Sequence, residues 1–128
     1  MSPANFADPV ARAQISKAVM KLFDHWALSD AEQLSLLGFN EGSRKRLANL
    51  RRGTPIPNNI DTLDRVGHLF SIHKNLRLLL PHDRDIVYQW IKFPNVAFNK
   101  LSPLQVMLEY RLVGIVKVRL YLEKMAGM

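Results

Sequence analysis

The stretch that most constrains this chain is Leu28 to Gly53, LSDAEQLSLLGFNEGSRKRLANLRRG. Ser29 and Glu32 stand three apart in the pattern of a capping box, which opens a helix that Gly38 ends. A second short helix is expected over Glu41 to Arg52, with Leu47 and Leu50 turned inward and Gly53 as its stop. Two short helices hinged at a glycine, with the cations gathered on the second, are the sequence form of a helix-turn-helix. On that second helix Arg44, Ala48 and Arg51 share one face, and Lys45, Asn49 and Arg52 the adjacent one. Arginine can grip guanine with two donors, asparagine can do the same for adenine, and Lys or Arg can neutralise phosphate. Arg44, Lys45, Asn49, Arg51 and Arg52 are therefore the candidate DNA-binding residues, set against the plainer alternative of a solvated basic helix face.

The flanking segments extend the helical reading. Asp8 before Pro9 is a helix start, because Asp accepts orphan amide bonds while Pro fits the first helical position. From there Ile15, Val19, Leu22, Phe23 and Trp26 fall on one stripe to about Ala27. The segment Thr54 to Asn59 contains Pro55 and Pro57, which deny both helix and central strand, and marks the expected boundary between residues 1–60 and 61–128. Asp61 is then expected to cap a long helix through Leu63, Val66, Leu69, Phe70, His73 and Leu76, stopped by Pro81. Asp83 opens a shorter one carrying Ile86, Val87, Trp90 and Ile91, ended by Phe93-Pro94-Asn95. Ser102-Pro103 repeats the earlier style of start for a helix to about Leu112. Beyond Gly114, Val116, Val118, Leu120 and Leu122 alternate like a strand, but a lone strand in a helical chain would have no ladder partner, so this segment too is expected to be helix. The expected fold class is all-α.

Charge narrows the partners. The 128 residues carry 18 Lys and Arg against 11 Asp and Glu, a net +7. That favours anionic partners, nucleic acid first and a membrane surface second. The excess is spread: residues 1–62 hold eight basic and six acidic side chains, residues 63–128 ten and five. With no cysteine, disulfide frameworks and thiolate metal sites are excluded, which suits a reducing cytoplasm. The N-terminus MSPANFADP lacks the basic and apolar regions of a secretory leader, and no run approaches the roughly 20 apolar residues of a membrane span.

Catalytic chemistry finds little support. His68 and His73 lie five apart, about 140° around a helix, which does not suit two imidazoles sharing an ion. Each histidine, His25 and His82 included, is expected at the surface or partly buried. Asp83 with Asp85, and Asp61 with Asp64, sit at helix starts, where the helix dipole accounts for them. No serine lies in a G-x-S-x-G turn and no glycine-rich phosphate loop is present. The expectation is a protein without enzymatic activity, metal or cofactor. Phe93 and Phe98 bracket a Pro-Asn turn ahead of a capped helix, an arrangement that by itself reads as a core corner.

Taken together, these residues resemble the Xre/MbcA/ParS antitoxins, small proteins encoded beside a RES-type toxin. LSDAEQLSLLG followed by LANLRRG is similar to the family's Xre-like helix-turn-helix, and DRVGHLFSIHKNLRLLL to its linking helix. The order Trp90-Ile91, Phe93-Pro94-Asn95, Phe98, Ser102-Pro103-Leu104, Gly114 and Val118-Arg119-Leu120-Tyr121-Leu122-Glu123 is similar to its toxin-binding domain. The resemblance implies an N-terminal Xre-like helix-turn-helix that dimerises and binds operator DNA, followed by a small helical domain that covers the active site of a toxin consuming NAD or transferring ADP-ribose. It also implies that Trp90, Phe93, Pro94, Asn95, Phe98, Ser102, Pro103, Leu104, Arg119, Tyr121 and Glu123 bind the toxin, in a homodimer or higher toxin–antitoxin assembly in the cytoplasm, away from membranes. A stand-alone Xre-type repressor is the alternative. One departure is Asn99-Lys100, where a glycine-containing turn is usual; Asn tolerates the left-handed conformation that such a turn needs.

Overall fold

The computed structural model describes residues 8–127, and every element in it is helical. These are α1 (Pro9–His25), α2 (Asp30–Leu37), α3 (Arg44–Arg52), α4 (Ile60–Leu79), α5 (Arg84–Gln89), two short 3-10 turns (Trp90–Lys92 and Val96–Phe98) and α6 (Pro103–Met125). The all-α class is thus observed. Residues 1–7, on which the expectation of no secretory leader rests, and residue 128 lie outside the described residues. The chain divides into two compact units, Met1–Val66 and Gly67–Met128.

In the first unit the caps act as their residue types dictate. The Asp8 carboxylate accepts the Val10 N–H at 2.9 Å with Pro9 beginning α1. Ser29 and Glu32 close the box in both directions, at 3.2 and 2.8 Å. The core collects Val19, Met20, Leu22 and Phe23 of α1, the adjoining Trp26, Leu34, Leu36 and Leu37 of α2, and Leu47 and Leu50 of α3. Helix α3 packs against both α1 and α2.

Two starts differ from the sequence reading. Helix α3 begins at Arg44 rather than Glu41, because the Ser43 N–H turns back to the Asn40 carbonyl at 3.0 Å and leaves Glu41-Gly42 in a turn. Asn59, not Asp61, accepts the orphan Thr62 N–H at the start of α4, at 3.3 Å, while Asp61 pairs instead with Arg65 at 3.0 Å. The proline-containing segment after α3 is no free linker. Ile56 is fully buried, and the segment is tied to α1 by Ser16 Oγ donating to the Thr54 carbonyl (2.7 Å) and by Arg12 Nη1 donating to the Ile56 carbonyl (2.9 Å). This segment therefore belongs to the first unit, and the division falls inside α4.

The second unit buries Leu69, Ile72 and Leu76 of α4 with Val87, Ile91, Leu104, Val106, Met107, Ile115, Val118 and Leu122. Ser102 and Gln105 form a reciprocal capping box at the head of α6, with Pro103 as its first residue. Helix α6 is not one rod. Arg111 stands at φ 55°, ψ −132°, which breaks the element into an arm of residues 103–110 and an arm of residues 112–125. The break thus precedes both Leu112 and Gly114, the positions where the sequence pattern changes. The reversal brings Gly114 onto the first arm so closely that a Cβ there would run into the Val106 carbonyl oxygen and lie 2.9 Å from its carbon. Only glycine fits that approach.

Candidate functional site

Two surfaces follow from this scaffold, one in each unit. In the first, the turn between α2 and α3 is held from beneath. Gly38 adopts φ 76°, and its missing Cβ leaves room for the Arg65 guanidinium, whose Nε would lie 2.9 Å from such an atom. Arg65 is nearly buried, bonds Asp61, and reaches the Ser35 carbonyl at 3.4 Å. Phe39 in the same turn lies under the Arg46 guanidinium, 3.8 Å from ring centroid to Cζ. The turn is therefore braced by two arginines, which fixes where α3 points.

Along α3, Leu47 and Leu50 are buried while Arg44, Lys45, Arg51 and Arg52 are exposed and Asn49 is half-buried. Arg44, Lys45 and Arg52 make no ion pair among the described residues. Arg51 is placed differently. Its Nη1 meets Asp24 of α1 at 2.6 Å and its Nη2 meets Gln33 of α2 at 3.4 Å. The hydrogen bond to Asp24 raises the Arg51 pKa above its ordinary value, against partial desolvation that lowers it. Arg51 thus stays fully charged, and it ties three helices together as well as facing outward. Gln33, buried and donating to the Leu28 carbonyl at 3.0 Å, completes that tie. No local pattern in the sequence links residues this far apart.

In the second unit, the corner around residues 90–104 is built on an aromatic cluster. Trp90 stacks on Tyr121 with centroids 6.2 Å apart, and Phe98 meets the same tyrosine edge-on at 5.2 Å. The corner is closed by backbone bonds from Asn95 N–H to the Leu101 carbonyl and from Lys100 N–H to the Asn95 carbonyl, both at 3.0 Å, with the Asn95 side chain accepting from Ala97 N–H. Asn99 and Lys100 both take left-handed conformations, φ 55° and 70°, so the turn forms without glycine. Ser102, Pro103 and Leu104 are buried, Trp90, Asn95 and Phe98 are half-buried, and Phe93 and Pro94 stand exposed. Arg119 is drawn inward by Glu123 (2.7 Å) and by His68 Nδ1 (2.8 Å), contacts that the sequence did not suggest.

The structure thus brings Trp90, Phe98 and Tyr121 together, and separately Arg119 with Glu123. Leu78 and Val96 are also exposed in this unit, and the exposed apolar residues of α6 that sequence reasoning passed over are Tyr110, Val113, Leu120 and Met125. Their signal was the helical spacing of Val113, Lys117 and Leu120, masked by the strand-like alternation of Val116, Val118, Leu120 and Leu122. A cleft of about 690 Å³ between the end of α4 and α5 is lined by Lys74, Arg77 and Arg84 beside His73, which stacks on Tyr88. No helix among the described residues is long and apolar enough to cross a membrane.

Comparison with known proteins meets this geometry in the second unit. Residues 75–127 match the antitoxin Xre/MbcA/ParS C-terminal toxin-binding domain, the span that holds the aromatic corner and both arms of α6. The class defined here is a small helical antitoxin whose C-terminal half carries a toxin-binding domain. The chain belongs to the Xre/MbcA/ParS antitoxin family. Over 111 residues it is 35% identical to the protein of Sinorhizobium fredii named "Uncharacterized protein y4oB", a match covering 87% of this chain and 83% of that one.

Proposed function

We propose that this chain neutralises a RES-type toxin, one that consumes NAD or transfers ADP-ribose, by covering its active site, and that it represses its own operon by binding operator DNA as a dimer in the cytoplasm. In this reading the protein performs no chemistry of its own. The match of residues 75–127 to a toxin-binding domain carries the toxin half of the reading. The exposed Phe93 and Pro94 supply an apolar contact with Trp90, Asn95, Phe98 and Tyr121 half-buried in the same corner, Arg119 and Glu123 add a separate half-buried ion pair, and Ser102, Pro103 and Leu104 hold the corner in shape from within. Support for the DNA half comes from α3, which presents Arg44, Lys45, Asn49 and Arg52 outward while Arg51 both faces out and anchors the helix. A rigid helix with phosphate-seeking cations and an asparagine is suited to major-groove reading.

Co-expression of the chain with the product of the adjacent open reading frame tests the first half. The expected result is a RES-type protein that co-purifies with the chain and whose NAD-consuming activity disappears in the complex. DNA binding without any toxin partner would instead leave a stand-alone repressor. A mobility shift on the upstream region tests the second half, with Arg44→Ala expected to weaken binding while leaving the helical circular-dichroism signal unchanged.

A further inference from the structure

The cleft at the end of α4 combines three features that neither the aromatic corner nor α3 uses. Its volume, about 690 Å³, falls in the range of roughly 300–1,000 Å³ in which small-molecule sites are found. Lys74 and Arg77, three residues apart, share one face of α4, and Arg84 joins them in the lining from the first turn of α5. All three are exposed, and none is in an ion pair among the described residues. No acidic side chain lines the cleft. The two carboxylates flanking Arg84 in sequence do not answer it: Asp83 accepts the Ile86 N–H at 3.2 Å as the cap of α5, and Asp85 pairs with no cation among the described residues. Cations gathered in a concave site without counter-charge repel one another, and such a site concentrates anions. The third feature sets the cleft apart from a solvated basic face. Its remaining lining is apolar and aromatic, with Leu78 57% exposed, Pro81 beside the turn, and the stacked rings of His73 and Tyr88 5.4 Å apart. An inorganic ion would use the cations alone and leave that lining wet.

We infer that this cleft binds a nucleoside polyphosphate, with Lys74, Arg77 and Arg84 on the phosphate oxygens and the base against Leu78, Pro81 and the His73–Tyr88 pair. Two guanidinium groups suit phosphate because each offers a planar fork of donors matched to two oxygens, while the lysine adds a compact charge. A flat base suits the rest, since aromatic rings and aliphatic side chains accept a π-face whatever the base. Duplex nucleic acid is the poorer occupant. It presents phosphates while keeping its bases stacked inside, and so leaves the apolar lining uncovered. None of these residues is among those assigned above to toxin or operator, so the inference is independent of both readings.

Calorimetric titration of the full chain with magnesium-free ATP, pyrophosphate and adenosine, at low ionic strength, tests this. ATP and pyrophosphate carry similar charge, so the difference between them reads the base and ribose. ATP is expected to bind at least about tenfold more tightly than pyrophosphate, and adenosine not measurably. The double variant Arg77→Gln/Arg84→Gln should weaken ATP binding by at least about tenfold with unchanged helical content; Arg84→Gln alone repeats the measurement should the double variant lose helix. Leu78→Ser should weaken ATP and leave pyrophosphate as it was. Lys45→Glu on α3 should change neither, which separates the cleft from the basic helix. Equal affinity for ATP and pyrophosphate, no binding of ATP, or ATP affinity that survives loss of the arginines overturns the inference. So does a random-sequence DNA duplex that binds more tightly than ATP and is lost with the same arginines, since the cleft is then a nucleic-acid contact.

Discussion

At the scale of single residues, two backbone positions in α6 have opposite logic. Gly114 is a site of contact. Any side chain there meets the Val106 carbonyl, a backbone group that cannot rotate away, so Gly114→Ala should destabilise the second unit by about 2–3 kcal/mol, read as a lowered midpoint in urea. Arg111 is a site of strain. A non-glycine residue at φ 55°, ψ −132° carries roughly 1–3 kcal/mol of conformational cost. Arg111→Gly removes it at an entropic cost of about 0.5–1 kcal/mol. The expected outcome is a net gain near 1 kcal/mol, seen as a thermal midpoint raised by a few degrees. The sequence displays the first of these glycines but not the second need, because nothing about an arginine announces a left-handed break.

At the scale of elements, starts are more legible than relations. Asp8-Pro9, Ser29 with Glu32, and Gly38 each act through neighbours within four residues, so their roles can be read from spacing, and the structure has them as read. Ser102-Pro103 belongs with them. Its box with Gln105 satisfies two orphan amides at the head of α6, and Ser102→Ala should cost about 1 kcal/mol of unfolding free energy, measured by chemical denaturation. Features made by distant segments are another matter. The tie from Arg51 to Asp24 and Gln33, the Arg65 guanidinium beneath Gly38, and the pairing of Arg119 with His68 each join residues from different helices. Pro55 and Pro57 rightly excluded helix but could not show that Ile56 would be a core residue. For the candidate toxin contact, the sequence identified the aromatic corner but could not divide its residues into those that face outward and those, such as Leu104, that hold it from within.

At the scale of the whole molecule, the excess of seven positive charges makes any DNA binding sensitive to salt. If Arg44, Lys45 and Arg52 each neutralise one phosphate, log affinity should fall with log salt at a slope of about −2.7 per chain, or roughly 40-fold between 50 and 200 mM. Removing one of these cations should reduce the slope by about one. A salt-independent shift would mean that α3 does not lie against the phosphate backbone.

The exposed reversal at Arg111 also has a practical reach. Trypsin cuts after arginine, and it prefers peptide bonds outside regular helix on the solvent side of a fold. The Arg111–Leu112 bond is therefore the expected first nick within α6 in limited digestion. Protection of that bond in the presence of the cognate toxin would report, on a gel, whether the partner shelters this end of the hairpin.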